Sequence, residues 1–197
     1  MSVLLVVAGP SGVGKGSVIR RLRAADPGLW FSVSATDRGP RPGEVDGADY
    51  VFVSTEEFER MRDAGDFLEW FEVFGDLKGT PRGPIEEHLA AGDDVVVEVD
   101  VQGALAIRDA FPDALLVFVK PPSRDVQRDR LHARAQEEAD RSGTPFDPEV
   151  LRRRLVEADA EEALADRFDA VVVNDDLDRA LAELTGLLEA RREGRSG

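Results

Sequence analysis

Apolar and polar positions alternate along the chain in two rhythms. Val3–Ala8, Val95–Asp100, Leu115–Lys120 and Ala170–Asn174 are short, nearly continuous apolar runs, the pattern of parallel strands buried on both faces. Between them lie stretches of helical period. These are Val18–Ala25, closed by Asp26-Pro27-Gly28, then Gly103–Ala110, a helix from Ser123, another from Pro148 to about Ala165, and an amphipathic helix over Leu177–Arg191. This strand-helix spacing predicts a three-layer α/β/α fold around a parallel core sheet.

Around residues 30–92 the rhythm shortens. Trp30–Ser34 reads as a second strand, and Tyr50–Ser54 and Phe67–Phe74 read as strands of a small inserted sheet. Ser54 or Thr55 caps a helix with Glu56 and Glu57 in its first turn, Gly75–Gly79 reads as a turn, and Thr80-Pro81 opens a helix ending at Ala91-Gly92. Ala35–Glu44 is too broken by Gly and Pro for helix or interior strand, yet it carries Arg38 and Arg41, a pairing that suits an anion better than packing. Gln136–Pro148 is a polar segment, and Arg192–Gly197 reads as a frayed tail.

The chemistry concentrates after the first strand. Gly9-Pro10-Ser11-Gly12-Val13-Gly14-Lys15-Gly16-Ser17 is a phosphate-binding loop in its proper context, strand before and helix after. Its glycines let backbone N–H groups converge on an anion at a helix N-terminus. Lys15 supplies charge for the β and γ phosphates, and Ser17 a hydroxyl for Mg²⁺. Gly16 stands where Ser or Thr usually follows the lysine; the same order occurs in loops resembling those of adenylate kinases. Ligands of parallel sheets bind at the carboxyl ends of the strands, where this loop, Ser34 and Asp100 fall. A nucleotide-dependent phosphotransferase or hydrolase follows.

Composition narrows the partners. A net charge of −15 argues against nucleic acid, which needs a cationic surface. With no cysteine and only His88 and His132, disulfides and a thiol or histidine-rich metal site are disfavoured. No apolar run is long enough to span a membrane, and Met1-Ser2-Val3 enters a core strand directly, so no membrane partner and a cytoplasmic location are expected. Monomer and homo-oligomer are both compatible with the pattern.

Ser34-Ala35-Thr36-Asp37-Arg38-Gly39-Pro40-Arg41-Pro42-Gly43-Glu44, then Gly47-Ala48-Asp49-Tyr50, Phe67-Leu68-Glu69-Trp70, Gly79-Thr80, Asp100-Val101-Gln102-Gly103 and Val173-Asn174-Asp175-Asp176, closely resemble the guanylate kinase family, in order from about residue 3 to 190. The resemblance implies a single domain with a core (1–35, 90–132, 155–197), a GMP-binding insert (36–89) and a lid (133–154). It also implies Mg²⁺-dependent transfer of the ATP γ-phosphoryl group to GMP, with dGMP a further acceptor. By that resemblance Arg38, Arg41 and Tyr50 hold the GMP phosphate. Glu69 reads guanine by accepting from N1–H and the 2-amino group, donors that adenine lacks. Ser34, Thr80 and Asp100 complete the guanosine pocket, and Asp100, with Glu98 near it, assists Mg²⁺. Arg130 faces the adenine, Asn174 lies on the ATP side, and Arg134 and Arg154 clamp the transferred phosphate.

Three departures stand out. Asp37 replaces the usual Thr before Arg38, where it pairs with an arginine or points to solvent. Lys78 replaces a phosphate-binding Tyr, exchanging a hydrogen bond for a charge that offsets Asp37. The lid is longer around 140–147 and reads Ala133-Arg134-Ala135 where Gly usually flanks the arginine. Two rival readings remain at this stage. A related kinase such as a ribose 1,5-bisphosphate kinase shares the loop and core but has no need of Glu69. A non-catalytic guanylate-kinase-like binding module typically lacks an intact loop.

Overall fold

The computed structural model describes residues 2–194 other than 42, 74, 144 and 146. Its central sheet is parallel, with strands in the order β2-β7-β1-β8-β9: β1 Leu4–Ala8, β2 Trp30–Phe31, β7 Val95–Glu98, β8 Leu115–Lys120 and β9 Ala170–Val173. Alternation along β1 divides the core between the sheet's two faces. Leu5 and Val7 pack with Val18, Ile19 and Leu22 of α1 (Lys15–Ala25) and with Ala180, Leu184 and Leu188 of α7 (Leu177–Gly194). Leu4, Val6 and Ala8 pack with Ile85 of α3 (Arg82–Ala91) and with Val101, Ala104 and Ile107 of α4 (Val101–Ala110). Each fully buried Leu, Ile or Val contributes about 1.5–3 kcal/mol. The predicted three layers follow.

A second, mixed sheet runs β4-β3-β6-β5, with β3 Ala35–Thr36, β4 Val51–Phe52, β5 Phe67–Val73 and β6 Asp76–Pro81. Helix α2 (Thr55–Ala64) is capped by Ser54, whose hydroxyl accepts from Glu57 N, and buries Phe58 stacked on Phe67 at 4.5 Å.

Several expectations are corrected here. The strand expected over Trp30–Ser34 keeps only Trp30 and Phe31 in the core sheet. The chain then crosses over, Ser32 N donating to Val96 O on one side and Val51 N to Ser34 O on the other. Ala35–Thr36, expected as loop, is therefore an interior strand, with Thr36 Oγ donating to Leu77 O at 2.8 Å. The expected turn at Gly75–Gly79 is mostly β6, antiparallel to β5. Gly79 is required there because a Cβ would meet Phe67 Cδ1 at 2.8 Å. Thr80 and Pro81 belong to β6, so Pro81 caps α3 and Arg82 begins it. Likewise Asp100 is the cap of α4 and not the end of a strand.

Two polar stretches are helical. Helix α5 runs Arg124–Ser142, on into the polar segment that starts at Gln136, because Ala, Gln, Glu and Arg favour helix regardless of burial. Helix α6 (Pro148–Glu162) starts at the predicted Pro148, capped by Asp147. At the other end α7 continues to Gly194, held by Arg192, which donates to Asp94 at 2.6 Å and Asp26 at 2.7 Å. The frayed tail expected from Arg192 therefore does not begin there, and residues 195–197 lie outside the described residues.

Candidate active site

The carboxyl ends of β1 and β7, the loop Gly9–Ser17, the second sheet and helices α5 and α6 enclose a cavity of about 970 Å³. Gly9, Pro10, Ser11, Gly12, Val13, Gly14, Lys15, Gly16 and Ser17 all line it. Gly14 caps α1 with φ 89°, and a Cβ there would fall 2.5 Å from Asn174 Nδ2, so no other residue fits. Lys15 Nζ donates to Gly9 O at 2.5 Å and Pro10 O at 3.3 Å. Burial lowers its pKa, while Glu98, Glu161 and Asp100 act the other way. Glu98 is itself raised by burial, against the pull of Lys15, Arg134 and Lys78. One carboxylate is thus shared among the cations of the loop, α5 and the second sheet.

Helix α5 brings Arg130 and Arg134 to this wall, and α6 brings Arg154. Arg130 donates to Val13 O at 3.2 Å and to Asn174 O at 3.3 Å, and Asn174 Nδ2 donates to Val13 O at 2.7 Å. Glu157 and Glu161, absent from the sequence-based candidates, also line the cavity. They share the α6 face of Arg154 at i+3 and i+7, a spacing that was available in the sequence. Burial raises Glu161 to about 7, with Asp100 and Glu157 adding to the shift and Lys15 opposing it.

On the opposite wall stand Ser34, Tyr50, Glu69, Lys78 and Asp100. Lys78 Nζ donates to the Tyr50 hydroxyl at 3.1 Å and lies 4.9 Å from its ring centroid. Thr80, fully buried, lies behind the wall and donates its hydroxyl to Glu69 Oε1. Burial raises Glu69 to about 7, with Thr80 opposing and Asp100 reinforcing. Asp100 Oδ1 accepts from Gly103 N at 2.7 Å, which fixes the carboxylate at the head of α4.

Arg38 and Arg41 do not line the cavity. Both oxygens of Glu44 take the Arg38 fork at 2.7 Å, pulling Glu44 down to about 2, and the guanidinium lies 4.9 Å from the Tyr50 ring centroid. Arg41 is exposed, its backbone N donating to Glu44. Asp37 neither pairs with an arginine nor faces solvent alone, which corrects the expectation. It accepts from Leu77 N at 2.7 Å and Thr55 Oγ at 3.0 Å, tying β3 to β6 and α2. Among the described residues no three His, Cys, Asp or Glu side chains form a metal cage. Ser17 and Asp100 instead present two oxygens on one cavity, which suits Mg²⁺ completing its shell with waters and phosphate oxygens.

Loop, parallel sheet and converging cations define a P-loop nucleotide-binding phosphoryl-transfer protein. A family model described as guanylate kinase matches residues 1–191. The chain belongs to the guanylate kinase family. It is 51% identical over 192 residues to the guanylate kinase of Rhodococcus jostii, covering 96% of this chain and 88% of that one. With that of Symbiobacterium thermophilum it shares 50% over 190 residues, 96% and 86% of the two chains. The crystal structure of guanylate kinase from Anaplasma phagocytophilum superposes with a TM-score of 0.73 at 29% identity, covering 96% of this chain and 85% of that one. No described helix is long and apolar enough to cross a membrane.

Proposed function

We propose that the protein transfers the γ-phosphoryl group of ATP to GMP, and to dGMP, giving ADP and GDP as a cytoplasmic step of purine nucleotide metabolism. The observation that carries this reading is one cavity with a phosphate loop on one wall and a desolvated, Thr80-bonded Glu69 on the other. Family membership supports the reaction. Within that reading the loop N–H groups and Lys15 hold the ATP phosphates, and Arg130 lies against the adenine. Tyr50 and Lys78 meet the acceptor phosphate directly. Arg38, 4.9 Å from the Tyr50 ring centroid, and Arg41 are the further cations that the family resemblance gives to that phosphate. Ser34, Asp100 and Glu69, the last held by Thr80 from behind, take the guanosine. An adenine facing Glu69 would leave a buried carboxylate unpaired, which penalises AMP.

Arg134 and Arg154 gather on the side where charge builds on the transferred group, and a loose transition state needs such positioning more than a general base. Mg²⁺, held by Ser17 and Asp100 with waters, would neutralise charge on the β and γ phosphates. The deciding experiment is a coupled ADP-release assay with ATP and Mg²⁺. It compares GMP, dGMP, AMP, UMP and ribose 1,5-bisphosphate as acceptors, with Lys15→Ala as blank. Turnover is expected with the guanine nucleotides alone, and the blank should lose about 100-fold or more. Turnover on the sugar bisphosphate would move the function to that kinase class. No turnover with any acceptor would leave a binding module.

A further inference from the structure

Gln127 is fully buried on the α5 face that packs against the phosphate loop, and it carries no role in the reaction as described above. Its Nε2 donates to Ser11 O at 3.1 Å, and its Oε1 accepts from Arg124 at 3.0 Å. The amide orientation is not arbitrary. A guanidinium can only donate, so the oxygen must face Arg124 and the NH₂ must face the carbonyl of Ser11. Arg124 in turn donates to Leu155 O at 2.6 Å and pairs with Asp159 at 2.5 Å, both on α6 next to Arg154.

The described chain has no cis peptide, and in a trans peptide the C=O and the following N–H point in opposite directions. A carbonyl drawn onto Gln127 therefore turns the next N–H away from it. Asn174 and Arg130 hold Val13 O in the same way, which fixes the direction of the N–H of Gly14. Gln127 acts on the N–H of Gly12.

We infer that Gln127 is a positioning residue for the donor phosphates: by holding the Ser11 carbonyl it pre-aims the Gly12 N–H, and through Arg124 it ties that setting to α6. The inference rests on the loop binding ATP. Gln127 does not touch the nucleotide. Its effect should appear in ATP affinity and leave acceptor recognition alone, because no atom of Gln127, Arg124 or Ser11 is bonded to the wall carrying Glu69 and Lys78.

Two variants separate the donated hydrogen bond from simple packing. Gln127→Met keeps the length without a donor, and Gln127→Glu keeps the shape and the Arg124 partner without a donor. Arg128→Ala, an exposed change on the same helix, is the control. ATP affinity is measured by titration calorimetry without acceptor, and the KM for GMP by steady-state assay. Loss of one hydrogen bond is expected to weaken ATP binding about three- to tenfold in both variants. The KM for GMP and the control should stay within twofold.

Unchanged ATP affinity in both variants overturns the inference. So does a defect in Met alone, which would assign the role to the Arg124 pair, or in Glu alone, which would reflect only a buried charge. Should either variant fail to fold, the wild-type Gln127 side-chain amide protons decide by NMR. They should be protected from exchange and shift on adding ADP; fast exchange without a shift would refute the role. A wild-type protein that binds no ATP would instead sink the functional reading, before Gln127 is at issue.

Discussion

Replacing Glu69 by glutamine should stabilise the folded protein at pH 8 while weakening the guanine recognition proposed for it. Burial holds the Glu69 carboxyl at about 7 against an ordinary 4.5. Between those values the folded chain binds more protons at this site than the unfolded chain, so this group's contribution to stability falls as pH rises through the window and stays low above it. At about 1.4 kcal/mol for each tenfold in acidity, this costs the native state about 3 kcal/mol at pH 8, where the buried carboxylate is ionised, and about 1 kcal/mol at pH 5, where it stays protonated while the unfolded chain's carboxyl ionises. Glutamine keeps the shape and an oxygen for Thr80 to donate to, without the charge.

For a domain of this size each kcal/mol moves Tm by about 2–4 °C, so Glu69→Gln is expected to melt about 6–12 °C higher at pH 8 and about 2–4 °C higher at pH 5. Calorimetric melting of both proteins at the two pH values reads this directly. The same variant loses about 100-fold in kcat/KM for GMP, because the carboxylate's two charge-assisted acceptors become one neutral acceptor and a donor. An equal Tm shift at both pH values, or a lower Tm at pH 8, would refute the account of Glu69 as a carboxylate held against its burial for recognition.

Lys78→Met should raise the KM for GMP about tenfold or more, since a hydrogen bond to a charged group is worth about 1.5–3 kcal/mol, and leave the KM for ATP unchanged; an unchanged KM for GMP would remove Lys78 from the acceptor site. Gly79→Ala forces a methyl against the Phe67 ring and should cost about 1–3 kcal/mol in urea unfolding, whereas a neutral result would mean that the ring yields freely. Arg192→Ala cuts the half-exposed bridge to Asp26 and Asp94 and should lower stability by about 1 kcal/mol, with turnover at saturating substrates intact.

The parts of this protein legible in the chain itself are those whose cause is local. The strands at Val95 and Leu115 are continuous apolar runs because both faces of a parallel strand are covered, and that requirement is written in consecutive residues. The phosphate loop needs glycines, a lysine and a hydroxyl at set spacings, so Gly9–Ser17 declares itself before any packing is known. Ser54 before two glutamates and Pro148 after Asp147 mark helix starts by the same local chemistry.

What tertiary structure alone decided has partners far apart in sequence. Ala35–Thr36 looks like loop, Asp76–Gly79 like a turn and Thr80-Pro81 like a helix start, because Gly, Pro and Lys obscure strands whose stability comes from their neighbours in the second sheet. Arg192 becomes part of a helix because Asp26 and Asp94 are waiting for it. The acidity of Glu69 depends on its burial and on the charge of Asp100, and the setting of Ser11 depends on Gln127, 116 positions later. Composition and spacing mark the candidate groups for binding phosphate. Burial, which no single stretch encodes, decides how strongly each group is held, and therefore how it acts.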